Sequence, residues 1–112
     1  MAITAKALKN PAYLPSSVAA QVTGGSGKTT YVKLIVLHNI DTANTYTATL
    51  YNYASGGSAG SSNELWKVDL APLETLMIEF PGPGMVLAQG DVLAGLCDTA
   101  SKVTIGVYGG EE

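Results

Sequence analysis

The sequence predicts an all-β protein: an antiparallel β-sandwich, jelly-roll-like, with an extended N-terminal arm. Three observations carry this expectation. Apolar residues recur with a period of two, and the 3.6-residue period of an amphipathic helix is almost absent. The alternating runs are bounded by Gly, Pro, Asn, Asp and Ser clusters every ~8–12 residues, the spacing of sandwiches and barrels. Thr, Tyr, Val and Ile, which suit a pleated surface, fill the runs. The expected boundaries are an arm over residues 1–28, with room for one short strand, and a sandwich over residues 29–112.

Taken in order, the arm contains "KNPAYLPSS", whose two prolines favour extended chain, followed by a short strand at "SVAAQVT". Tyr13 and Leu14 have no evident partner strand in the arm and are expected to pack on a neighbouring subunit. "TTYVKLIVLHNI" (29–40) is apolar on both sides: Val32, Leu34, Val36 and Ile40 on one face, Tyr31, Ile35 and Leu37 on the other. A strand with its second face also covered fits this pattern. "NTYTATLYNY" (44–53) sets Tyr46, Ala48 and Leu50 against Thr45, Thr47, Thr49, Tyr51 and Tyr53. "SGGSAGSS" (55–62) reads as a flexible loop. "NELWKVDL" aligns Trp66, Val68 and Leu70, and "APLE" forms a turn on its proline. "TLMIEF" turns Leu76, Ile78 and Phe80 inward with Met77 and Glu79 outward, and "PGPG" ends it. The remainder supplies two or three strands, with Val92, Ala94 and Leu96 on one face and Val103, Ile105 and Val107 on another, separated by turns at "AQGD" and "DTAS".

Composition bounds the function. The 112 residues suffice for one domain with a modest core. Hydrophobic residues make up 46% and charged residues only 13%, so the chain is not of the disordered class, and a surface so poor in charge hides area against a partner. The net charge is −3, there is no Arg, and six Lys are scattered singly, which disfavours nucleic acid as a partner. No run reaches the ~18 apolar residues of a membrane span, and "MAITAKALKN" lacks a basic start followed by an apolar stretch; no membrane partner and synthesis in the cytoplasm are expected.

Reactive chemistry is thin. "GGSGKTT" (24–30) invites a phosphate-loop reading, but that pattern requires a glycine five residues before Gly27, where Val22 stands, and a helix after the lysine, where "TTYVKLIVL" reads as strand. Cys97 alone excludes an internal disulfide and reads as a small buried hydrophobe. His38, the single histidine, reads as an imidazole satisfied by backbone or a turn residue; pairing it with Cys97 as a nucleophile requires both in one cleft. One His and one Cys fall short of a zinc site, and the acids are too dispersed for calcium. Glu74 and Glu79, five apart on a strand, point to opposite faces, and Asp91 in "QGD" ties down its own turn. The expectation is no catalytic residue, no cofactor and no metal. The tyrosines carry more: Tyr51 and Tyr53 beside threonines make either a subunit interface or a sugar platform.

The order of phrases adds a resemblance. "YVKLIVLHNIDTANTYTATLYNYASGGSAG", "LAPLETLMIEFPGPGMVLAQGDVLAG" and "ASKVTIGVYGGEE" resemble successive blocks of the small β-sandwich virion proteins of tailed bacteriophages, capsid decoration (cement) proteins and fibre attachment domains, over residues 13–112. "SGKTT" and the lengthened "PGPG" turn depart from that pattern. The resemblance implies no catalysis. It implies a virion component that forms homotrimers and binds the major capsid protein or another virion protein, with Tyr13 and Leu14 in the arm and Tyr51 and Tyr53 on the sandwich as contacts. The rival reading is a tail or head fibre or spike attachment domain that binds carbohydrate through a row of Tyr46, Tyr51, Tyr53 or Trp66.

Overall fold

In the computed structural model, residues 3–112 are described. They form nine strands: β1 (Thr4–Tyr13), β2 (Ala19–Thr23), β3 (Thr30–Asn39), β4 (Tyr46–Tyr53), β5 (Glu64–Leu70), β6 (Thr75–Glu79), β7 (Met85–Leu87), β8 (Val92–Cys97) and β9 (Val103–Glu111). Each strand of the first half pairs antiparallel with its counterpart in the second: β1 with β9, β2 with β8, β3 with β6 and β7, β4 with β5. The chain is one long hairpin rolled on itself, the connectivity of a jelly roll. The roll closes when β9 also pairs with β3 and β8 with β4. The first sheet has the order β1-β9-β3-β6 with β7 also on β3; the second has the order β2-β8-β4-β5.

The two sheets bury one core. Val32, Ile35, Leu37, Leu87, Val103, Ile105 and Val107 enter it from the first sheet, Ala48, Leu50, Leu70, Leu93 and Cys97 from the second. Trp66, Val68, Leu76, Ile78 and Phe80 close its margin, with Trp66 edge-on to Phe80 at 5.7 Å between ring centroids. The inward sets expected on β5, β6 and β9 are the ones found. On β8 the core cluster takes Leu93 and Cys97, one step out of phase with the expected set Val92, Ala94 and Leu96, of which Ala94 is also fully buried.

Two expectations are corrected. The first concerns β3. Thr30 and Val32 point inward, but so do Ile35, Leu37 and Asn39. A register shift against β9 between Val32 and Leu34 absorbs one residue, Lys33, and a bulge of that kind inverts the alternation beyond it. Val32 therefore does not share a face with Leu34 and Val36, which turn outward. The second concerns the arm. Thr4–Tyr13 runs along β9 as an edge strand of the same chain, with Pro11 inside an irregularity of the ladder between Lys9 and Ala12, a place where an edge strand tolerates proline. Leu14 follows it into the core, fully buried, its N–H on the Val103 carbonyl at 2.8 Å. The short strand expected near "SVAAQVT" is β2. Residues 1–2 of the expected arm lie outside the described residues.

The glycine run forms a turn into β3. Lys28 N–H donates to Gly25 O at 3.1 Å, and Gly24 exchanges backbone hydrogen bonds with Gly90 and Asp91. A Cβ on Gly24 would lie 2.0 Å from Ala88 O, so the close approach of the two turns requires glycine there. Strand β3 begins two residues after Lys28, and the helix that a phosphate loop needs does not follow.

Candidate interaction surface

The outward face of the first sheet is built by the phase inversion in β3. Cross-strand partners share a face, so the register lays out its rows. One row reads Tyr13, Thr104, His38, Thr75. The next reads Gly106, Val36, Met77, and the third Ala7, Tyr108, Leu34, Glu79. The fourth reads Ala5, Gly110, Tyr31, Val86. Met77 is 61% exposed, and Tyr13, Val86 and Ile3 are each about half exposed. Leu34, Val36, Tyr31 and Tyr108 are half-buried by their neighbours. Tyr108 lies across Gly106, where an added Cβ would stand 3.0 Å from its hydroxyl oxygen. The result is a contiguous apolar and aromatic field on the solvent side of a sheet whose other side is already core.

At the end of the field nearest the chain termini, a groove of about 290 Å³ opens between Ile3, Ala5, Tyr31, Lys33, Pro83 and Gly110. Lys33 Nζ donates to the Gly82 carbonyl and ties the proline–glycine turn over it. Tyr31 donates its hydroxyl proton to Glu112 Oε1 at 2.8 Å; this bond, then burial, raises the Tyr31 pKa.

The opposite end is a hydrogen-bonded knot. Asn39 Nδ2 donates to the carbonyls of Asn44, Leu70 and Ala71, and its Oδ1 accepts from Asp41 N–H. Asp41 accepts from Ala43 N–H, Asn44 N–H and the Tyr46 hydroxyl, and pairs with Lys102 at 3.3 Å. Each donor is satisfied within the chain, so the knot's chemistry is structural.

The four residues expected as contacts are dispersed. Tyr13 lies on the outward face of the first sheet. Tyr51 and Tyr53 lie half-buried on the outward face of the second, beyond the inward Ala48 and Leu50. Leu14 is buried in the core of its own chain and leaves no exposed surface for a partner, which corrects its assignment. The sugar row is likewise split: Tyr46 and Trp66 pack against the core while Tyr51 and Tyr53 turn away.

The weighed catalytic pairs also separate. His38 is on the outward face of the first sheet, Nδ1 within 2.8 Å of Thr75 Oγ1. Cys97 is buried in the second sheet, where burial first of all pushes its thiol pKa up, away from the reactive thiolate. Glu74 Oε1 accepts Ala71 N–H, and Asp91 accepts Ala88 N–H at 3.0 Å, each holding its own turn. Among the described residues no group of three or more His, Cys, Asp or Glu is placed to hold a metal ion.

Tyr31, Leu34, Val36, Met77, Val86 and Tyr108, which make most of the outward field, are absent from the expected contact set. Their signal was the two-sided apolarity of "TTYVKLIVL" and an outward Met77. Compared with protein-family models, curated proteins and solved structures, the chain finds no match.

Proposed function

We propose that this chain is a non-enzymatic structural protein of a bacteriophage virion, assembling with its own copies as a homotrimer and decorating the capsid shell. The observation that carries the reading is the apolar outward field of the first sheet. Contiguous exposed apolar surface of this kind is where proteins meet partners, and closed symmetry lets identical copies cover it. Every apolar Å² withdrawn from water contributes about 25 cal/mol, so burying the field adds to the stability of a thin sandwich. The phage and shell assignments rest on the resemblance of residues 13–112 to small virion sandwiches.

Two measurements test the reading. Sedimentation velocity is expected to give a species of about 34 kDa, three chains of 11.5 kDa. The trimer is then expected to co-sediment with phage capsids stripped of their decoration and to raise their resistance to heat. A monomer at all concentrations removes the self-assembly reading, and a trimer indifferent to capsids removes the shell. The outward placement of Tyr51 and Tyr53 favours one alternative, an attachment domain that binds carbohydrate. Tyrosine-resolved NMR titration with host polysaccharide distinguishes it; Trp66, packed against the core, is poorly placed to report.

A further inference from the structure

We infer that the outward face of the first sheet closes on another copy of this chain through a repeated ion pair, Lys33 of one copy with Glu79 of the next. The inference rests on the self-assembly proposed above and adds to it the identity of the occupant and the contact that selects it.

Within the apolar field on β3, β6, β7 and the Thr104–Gly110 stretch of β9, the formal charges are one cation, Lys33, and one anion, Glu79; at its margin Glu112 already accepts the Tyr31 hydroxyl and Lys6 is paired with Glu111. Both are exposed. They are neighbours, since Glu79 is the cross-strand partner of Leu34 and Lys33 is the bulge residue before it. Yet they do not pair with each other: among the described residues the ion pairs are Lys6 with Glu111 and Lys102 with Asp41. Lys33 instead reaches the Gly82 carbonyl, and its ammonium keeps two further donors for another acceptor.

An apolar partner laid over this field would strip water from both charges and return nothing, which is costly. A copy of the same chain brings the opposite charge to each. Where the symmetry axis brings the Lys33 side of one copy against the Glu79 side of the next, each charge meets its opposite and neither is left unpaired. The balance of one cation and one anion, side by side and unpaired in an otherwise apolar field, is the charge complementarity expected of a surface that recognises itself.

The test is charge reversal followed by sedimentation velocity over a concentration series in low salt. The wild-type chain is expected to assemble. Lys33→Glu and Glu79→Lys are each expected to weaken assembly by about tenfold or more, because each sets like charges against one another. The Lys33→Glu/Glu79→Lys double variant, which restores the pairing in reverse, is expected to recover to within about threefold of wild type. Circular dichroism and thermal midpoints of the dilute chains check that the fold survives, and Glu79→Gln, at a carboxylate with no partner among the described residues, repeats the loss at smaller size. Single reversals that assemble like wild type, or a double variant no better than the singles, overturn the ion pair and leave self-assembly standing. A wild-type chain that stays monomeric overturns both.

Discussion

Asn39 is a fully buried polar side chain at the point where three turns meet. Its amide serves carbonyls at 44, 70 and 71 while its oxygen holds Asp41 N–H at 2.9 Å. Removing it leaves several buried groups without partners, and each such group costs about 1–3 kcal/mol. Asn39→Ala is therefore expected to lose about 3 kcal/mol in urea denaturation, far more than Asn44→Ala, whose exposed side chain makes none of these bonds. Asp41 adds a pH dependence. The Ala43 N–H, then the Tyr46 hydroxyl, with Asn44 N–H and Lys102, hold its carboxyl well below the usual carboxylate range. Its folded pKa lies below its unfolded one, so its contribution is complete above about pH 5 and is lost as pH falls towards the folded value. The thermal midpoint of the wild-type chain is expected to drop more steeply between about pH 5 and pH 2 than that of Asp41→Asn; equal slopes would show that Asp41 is not linked to folding. These roles were unequally legible. Asp91 could be assigned its turn from "QGD" because its partner at 88 is local. The role of Asn39 was hidden, because its acceptors at 70 and 71 are thirty residues away and no string joins them.

At the scale of elements, strands were legible where one face is core and the other wet. Leu76, Ile78 and Phe80 alternate with Met77 and Glu79, and a period of two then fixes the face. Strand β1 was illegible for the opposite reason. "TAKALKNPAY" is an edge strand with two lysines and a proline, the residues that protect an edge from unwanted pairing and that also erase the pattern. Its pairing with β9, and the core position of Leu14 beyond it, make the segment part of the fold. Leu14→Ala is expected to lose about 2–5 kcal/mol, and deletion of residues 1–13 to lower the thermal midpoint sharply and speed amide exchange along β9. An unchanged midpoint would return the segment to a free arm. The turn between β5 and β6 shows strain of the other kind. Leu73 has φ of 60° while 56% exposed, a left-handed conformation that costs a side chain with a Cβ about 1–2 kcal/mol. Leu73→Gly is expected to stabilise the isolated chain by up to about 1 kcal/mol in denaturant titration, since little packing is lost in exchange. No change or a loss would show that the leucine packs better than its exposure implies.

At the scale of the whole molecule, the deciding feature is that one sheet is apolar on both sides. The bulge at Lys33 decides which residues stand on each side, and a bulge is what alternation in a sequence cannot reveal: "YVKLIVL" states that both faces are apolar but not which residue changes sides. Met77 is the cleanest probe of the consequence. It is the most exposed of the large apolar residues on that face, and its cross-strand partner is Val36. A lysine there meets water in the free chain, so Met77→Lys is expected to move folding stability by no more than about 0.5 kcal/mol. In an assembled face the same lysine is a buried charge without a partner, and assembly is expected to be abolished at concentrations where the wild-type chain is fully associated. The matched change on the other sheet, Tyr53→Lys, lies outside the field and is expected to leave the mass unchanged. Oxidation supplies a readout that needs no substitution. Thioether oxidation follows exposure, so peroxide is expected to convert Met77 slowly in the assembled protein and quickly once it is diluted to single chains. Equal rates in both states, or a Met77→Lys protein that still assembles, would mean that the copies meet through some other surface.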